Sequence, residues 1–324
     1  MKIKLLLCIA ALTFGCKKPS ETTGKDPRSA NHEGITADNG YQVNKTAFAK
    51  ALKVSETQCK LSDGTTTTCV EIKTPAMPSK LRPFCKDGYA YGQAVAFTEG
   101  EIGSCKSRTE APPGTEIRCV ECEPHASSQT WLIPKTPVAQ KTPVEGDKGW
   151  QLAGGYGLAL DGVPISHEPP PKRSPVPAVD ACGGHSGPDS DYHYHYIPTS
   201  ADKKNAECLV QDRSGGGHSS LFGYAMDGYP MHGRYEDGAR PRDLDECGGH
   251  IGKTPNESKP VYHYHARGAV DADHGNDRIY KPFIQCFRGA IASSDNPQRR
   301  GEGSPPPGGR RGGGPPPGSS NATR

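Results

Sequence analysis

One six-residue run, Asp-x-Cys-Gly-Gly-His, occurs twice in this chain, and each time a loop leads from it to Tyr-His-Tyr-His. The first copy is Asp180, Cys182 to His185 and Tyr192 to His195; the second is Asp245, Cys247 to His250 and Tyr262 to His265. The match extends upstream, where Gly157-Leu-Ala-Leu-Asp161-Gly162-Val-Pro164 parallels Gly223-Tyr-Ala-Met-Asp227-Gly228-Tyr-Pro230. The aspartates 161 and 227 stand 66 positions apart and the cysteines 182 and 247 stand 65 apart. Such near-constant spacing predicts an internal duplication, with related halves over about 155–208 and 222–289. Each half then reads as an apolar strand, an Asp-Gly-x-Pro turn, a variable surface loop, the Cys-Gly-Gly-His run and a closing strand.

In an extended strand successive side chains point to opposite faces. His193 and His195 therefore share one face, with Tyr192 and Tyr194 on the other; His263 and His265 are related in the same way. The two glycines before His185 and His250 permit the sharp turn that brings a third imidazole toward each pair. A His-x-His strand with a third histidine from a neighbouring segment suits a first-row transition metal. The candidate ligands are His185, His193, His195, His250, His263 and His265, as two three-histidine sites or as one shared site. Asp180 and Asp245 are candidate acceptors for imidazole N–H groups. His218 and His232 are weaker candidates, and His125, the one histidine of the preceding Cys-rich region, is a further candidate to reach them. Nine of the twelve histidines fall between His167 and His265. Nitrogen and oxygen donors suit copper(II), zinc or iron, and with only four methionines the chain does not read as a copper(I) carrier. Alternation turns the tyrosines away from the metal, which argues against tyrosinate ligation.

The chain opens with Lys2 and Lys4, a short apolar run to Phe14, then Gly15-Cys16, the pattern of an exported lipoprotein in which Cys16 becomes lipidated. An ordinary secretory signal cut nearby is the other reading. Export places the remaining ten cysteines in an oxidising compartment, where disulfides are favoured over thiolate metal sites. Four cysteines allow three connectivities, and equivalent pairing in the two halves gives Cys182–Cys208 and Cys247–Cys286.

Only 33% of the 324 residues are hydrophobic, with 40 Gly and 31 Pro, a composition that favours a loop-rich β fold. A formal charge of +3 supplies no mandate for nucleic acid. Residues 1–16 are expected to be the signal, 17–40 a polar tether, 41–130 a smaller Cys-rich β module, 131–291 the duplicated domain and 292–324 a disordered Gly/Pro/Arg-rich tail. Within the module, a Ser-Asp-Gly turn between Cys59 and Cys69 predicts a hairpin, and 48–54 a short helical turn. Cys119-Val-Glu-Cys122 has redox-motif spacing, but no βαβ pattern surrounds it, so structural bridging is expected.

Over roughly 131–289 the chain resembles the YHYH-domain family of exported bacterial and some eukaryotic proteins. The carrying motifs are Asp180 to His185, Tyr192 to His195, Phe222 to Pro230, Leu244 to His250, Tyr262 to His265 and Cys286-Phe-Arg-Gly289. Gly248 departs from the family, whose members often have Asn there; the change removes no ligand. The resemblance implies an exported domain with a Gly/Pro-rich tail and implies no reaction. The expectation is an envelope lipoprotein, in the periplasm or at the outer membrane, that holds or senses copper or zinc. A metal-dependent hydrolase is the alternative, and a disulfide-stapled adhesion module with purely structural histidines is a third; whether the chain is an enzyme is left open.

Overall fold

The computed structural model describes residues 40–78, 94–96, 116–118, 126–145, 155–166, 176–177, 182–186, 192–195, 208–209, 216–266 and 284–296. The signal with Cys16, the tether up to residue 39, Cys85, Cys105, Cys119, Cys122, His125, Asp180 and the tail beyond 296 lie outside the described residues. In chain order the strands are β1 (Lys53–Lys60), β2 (Thr66–Thr74), β3 (Ala94–Ala96), β4 (Glu116–Arg118), β5 (Gln129–Pro134), β6 (Ala139–Glu145), β7 (Gly157–Ala159) and β8 (Pro164–Ile165). They continue with β9 (Val176–Pro177), β10 (Gly184–Ser186), β11 (Tyr192–Tyr194), β12 (Leu221–Ala225), β13 (Pro230–His232), β14 (Gly249–Gly252), β15 (Val261–His265) and β16 (Cys286–Gly289). The protein is mainly β, as its composition predicts, and no α-helix occurs among the described residues. The helical turn expected over 48–54 sits earlier, as a 3-10 turn at Lys45–Ala47, where the Asn44 side chain accepts the Thr46 amide. From Lys53 the chain is already in β1.

β1 and β2 form the expected hairpin, bridged by Cys59–Cys69. Its turn is fixed by Asp63, whose carboxylate accepts the Thr65 amide at 2.9 Å. β5 pairs with the far edge of β2, and its Trp131 and Ile133 enter the same core as Tyr156, Phe222 and Tyr264. Tyr41, Val43, Phe48, Val70 and Ile72 join that core too, so the described N-terminal residues pack directly on the histidine-bearing sheet.

That sheet has eight strands in the order β10-β11-β8-β7-β12-β13-β15-β14. Its central pair is antiparallel, with Gly157 opposite Ala225 and Ala159 opposite Gly223. A Cβ on Gly157 would run into the Tyr224 carbonyl and one on Gly223 into the Leu158 carbonyl, so the two backbones approach too closely for any side chain. Outward from this pair each flank repeats the same steps: a hairpin through Asp-Gly, a parallel step to the Tyr-His-Tyr-His strand, and an antiparallel strand from Gly-Gly-His. The two histidine strands therefore lie toward opposite edges of one sheet. Disulfides Cys182–Cys208 and Cys247–Cys286 tie down the turn ahead of each Gly-Gly-His run.

The tail boundary needs correcting. Residues 292–296, expected to be unfolded, are packed: Ala292 bridges Leu61, and Asn296 makes paired hydrogen bonds at 2.8 Å to the amide and carbonyl of Lys60. A side-chain amide that satisfies an edge-strand backbone from both sides is a local effect that composition does not reveal.

Candidate metal centres

The Gly-Gly pair has two separate duties in each turn. Gly183 and Gly248 take φ of 84° and 89°, the left-handed region that a side chain resists. Gly184 and Gly249 lie beneath the first tyrosine of the strand, where a Cβ would strike the hydroxyl and ring of Tyr192 or Tyr262. With both glycines in place, His185 pairs across the ladder with His193, and His250 with His263.

The tyrosines face the other way and are buried. Tyr194 donates to Asp161 at 2.8 Å, Tyr264 to Asp227 at 2.6 Å and Tyr262 to Asp245 at 2.9 Å. Burial, reinforced by Asp245 and Asp227 respectively, pushes Tyr262 and Tyr264 well above the usual phenol range, so both remain phenols. They are struts for the strand and are not metal ligands. Asp227 also accepts the Gly289 and Tyr229 amides, and complete burial raises its pKa to about 6 against the pull of those bonds.

In the first cluster the Nε2 atoms of His185, His193 and His195 lie 3.1, 2.6 and 2.8 Å apart pairwise. A point about 2 Å from all three, the normal metal–imidazole distance, exists just off their plane. His185 and His195 are buried and His193 is half-buried.

The second cluster is larger. His263 Nε2 stands 3.0 Å from His265 Nε2 and 3.2 Å from both His250 Nε2 and His218 Nε2. His218 and His232 therefore belong here; the His232 ring meets that of His218 edge-on, at 4.6 Å between centroids. Glu236 adds a carboxylate, with Oε2 3.0 Å from His250 Nε2. Among the described residues, two groups have donor atoms all within 4.8 Å of one another: His185, His193 and His195, and His218, Glu236, His263 and His265.

Backbone carbonyls set the tautomers of the second cluster. His263 Nδ1 contacts the Val261 carbonyl at 3.0 Å, His265 Nδ1 that of Gly233 at 2.7 Å, and His218 Nδ1 that of Ser219 at 2.7 Å. A carbonyl only accepts, so each Nδ1 carries a proton, and in the neutral ring that leaves the Nε2 lone pair turned toward the others. Burial, then the neighbouring imidazoles, hold His263 well below the ordinary histidine range; burial does the same to His265 and His232. Neutral lone pairs only about 3 Å apart repel one another, and a cation between them turns that repulsion into coordination.

The two clusters lie on opposite flanks, so a single site shared by all six motif histidines is not formed. Asp245, expected to orient an imidazole, holds the turn instead: Oδ1 accepts the Cys247 and Gly249 amides at 2.9 and 3.0 Å, and Oδ2 accepts Tyr262. An acid two residues before a tight turn is placed to cap that turn's own amides. The carboxylate on His250 Nδ1 is Asp243, at 3.1 Å. By sequence His218 is a weaker candidate, and Glu236 and Asp243 carry no signal at all, because they sit on irregular loops without periodicity, a setting that His218 shares.

These residues define a disulfide-stapled β protein with two imidazole clusters able to hold a metal ion. Residues 174–242 match the family model described as YHYH protein, the family that the tetrapeptide indicated. The matched span includes the first Tyr-His-Tyr-His and stops before the second. No curated protein and no solved structure matches the chain. Family and disulfides together point to an exported protein.

Proposed function

We propose that this chain is an envelope-anchored protein that holds copper or zinc in two imidazole centres, one in each half of a duplicated domain. The observation that carries the reading is the convergence of carbonyl-locked Nε2 lone pairs at His218, His263 and His265, repeated in distance by His185, His193 and His195. Histidines with a purely structural role would have no need to turn their Nε2 atoms toward one another. The matched strand order and register about the β7–β12 pair support the duplication. Lipidation of Cys16 would attach the protein to the membrane, with the tether up to about residue 40 holding the folded part away from it. The chain would then comprise a smaller N-terminal module, the duplicated domain and a solvated tail beyond residue 296.

Nitrogen donors in an oxidising compartment suit Cu(II) and Zn(II). The test is calorimetric titration of metal-free protein with each ion. Saturation at two equivalents is expected, and absence of binding by both ions would overturn the reading. Metal-assisted hydrolysis is the second reading, favoured by the first centre: three protein nitrogens, one half-exposed, leave a fourth position for water.

A further inference from the structure

The second centre departs from the first in its donors, and the geometry points to a ligand exchange: His218 and Glu236 join His263 and His265 as the metal ligands, while His250 acts as a positioning residue. The inference rests on the metal-holding reading and goes beyond it by assigning a mixed nitrogen–oxygen, divalent-ion site.

Three observations lead there. Donor atoms of His218, Glu236, His263 and His265 all lie within 4.8 Å of one another, and His250 is not part of that set. His250 is instead held between two carboxylates, Nδ1 at 3.1 Å from Asp243 and Nε2 at 3.0 Å from Glu236. With one ring nitrogen against each carboxylate, the imidazole bridges Asp243 and Glu236 and orients Glu236 toward the other three ligands. Finally, the 65–66-residue spacing of the two copies leads back from Glu236 to a proline and from Asp243 to Ala178, and, carried just ahead of the repeat, from His218 to Leu152. None of these can ligate through its side chain, and among the described residues of the first half the converging donors are His185, His193 and His195. Three neutral imidazoles and one carboxylate form a harder donor set than three imidazoles, which favours Zn(II) or Cu(II) over Cu(I).

The test uses the full chain, with the first centre as an internal check on folding. Zn(II) retained against a competing chelator is measured for wild type, His218→Asn, Glu236→Gln and His250→Asn. Wild type is expected to keep two equivalents. His218→Asn and Glu236→Gln should each keep one, and His250→Asn should keep two, bound about 10-fold more weakly at the second centre. Loss of an equivalent in His250→Asn, or its retention in either of the other two variants, overturns the exchange while leaving metal holding intact. A wild type that binds no zinc overturns both. Cu(I), supplied as its acetonitrile complex without thiols, should enter the first centre at most; two equivalents would contradict the divalent assignment.

Discussion

The two histidine clusters have the same strands, the same turn and the same tyrosine struts, yet they differ in what surrounds them. At the first, three imidazoles meet and one is half-exposed. At the second, two loops bring His218 and Glu236 against the motif histidines, and His232 stands where the first half has Ser166. Among the described residues the repeated motif builds a common platform, and His218 and Glu236, which lie outside that motif, distinguish the second cluster from the first. A platform of this kind can diverge without refolding, because the strut network lies on the far face from the donors.

Substitutions in equivalent positions can break that comparison. The largest expected effect is at the strut aspartates. Asp227 is fully buried and takes the Tyr264 hydroxyl and the Tyr229 and Gly289 amides, so Asp227→Ala should cost about 3 kcal/mol or more. Asp161 is half-buried and takes the Val163 amide and the Tyr194 hydroxyl; Asp161→Ala should cost about 1–2 kcal/mol. Denaturant unfolding of both variants checks the order, and equal losses would contradict the greater burial of the second half.

Next come the glycines under the tyrosines. A Cβ at Gly249 meets both the Tyr262 side chain and, at 2.8 Å, the His263 carbonyl, whereas at Gly184 the nearest atoms all belong to the Tyr192 ring and hydroxyl. A ring can turn aside more readily than a ladder backbone. Gly249→Ala should therefore destabilise by about 2–3 kcal/mol and Gly184→Ala by about 1–2 kcal/mol. Thermal melts showing the reverse order would place the backbone contact in doubt.

The smallest effect is on pH dependence. Burial depresses the folded-state pKa of His232, His263 and His265, so in metal-free protein the unfolded chain binds protons that these rings refuse. Their contribution is fully present above about pH 6.5 and is lost as pH falls below it. Asp227 works in reverse: with its folded pKa raised to about 6, its contribution is fully present below about pH 3.9 and is lost as pH rises through about 6. Three groups outweigh one, so the metal-free melting temperature should fall between pH 7 and 5. His232→Ser, which copies the first half, should make that slope shallower. An unchanged slope would remove His232 as a source.

Much of this site was legible in the sequence, for a physical reason. Period-two alternation in Tyr-His-Tyr-His separates ligand and strut faces, and Gly-Gly before a histidine declares a turn that needs positive φ and close approach. Cys182–Cys208 and Cys247–Cys286 follow from equivalent positions. The hairpin at Asp63 was legible because its turn is local. What was hidden depended on chain returns across long distances: Glu236 reaching His250, Asn296 clasping Lys60, and Asp161 and Asp227 receiving hydroxyls from 33 and 37 residues away. The misread role of Asp245 shows the converse, since a carboxylate beside a turn serves the nearest amides first.

The central claim, that the converged imidazoles form two independent metal centres, is tested most directly by metal content. Protein purified without a metal-affinity column would be assayed as wild type, His193→Ala/His195→Ala and His263→Ala/His265→Ala. The account predicts two equivalents of copper or zinc in the wild type, with one lost in each double variant. A wild type without stoichiometric metal, or a single equivalent abolished by either double variant, would contradict it.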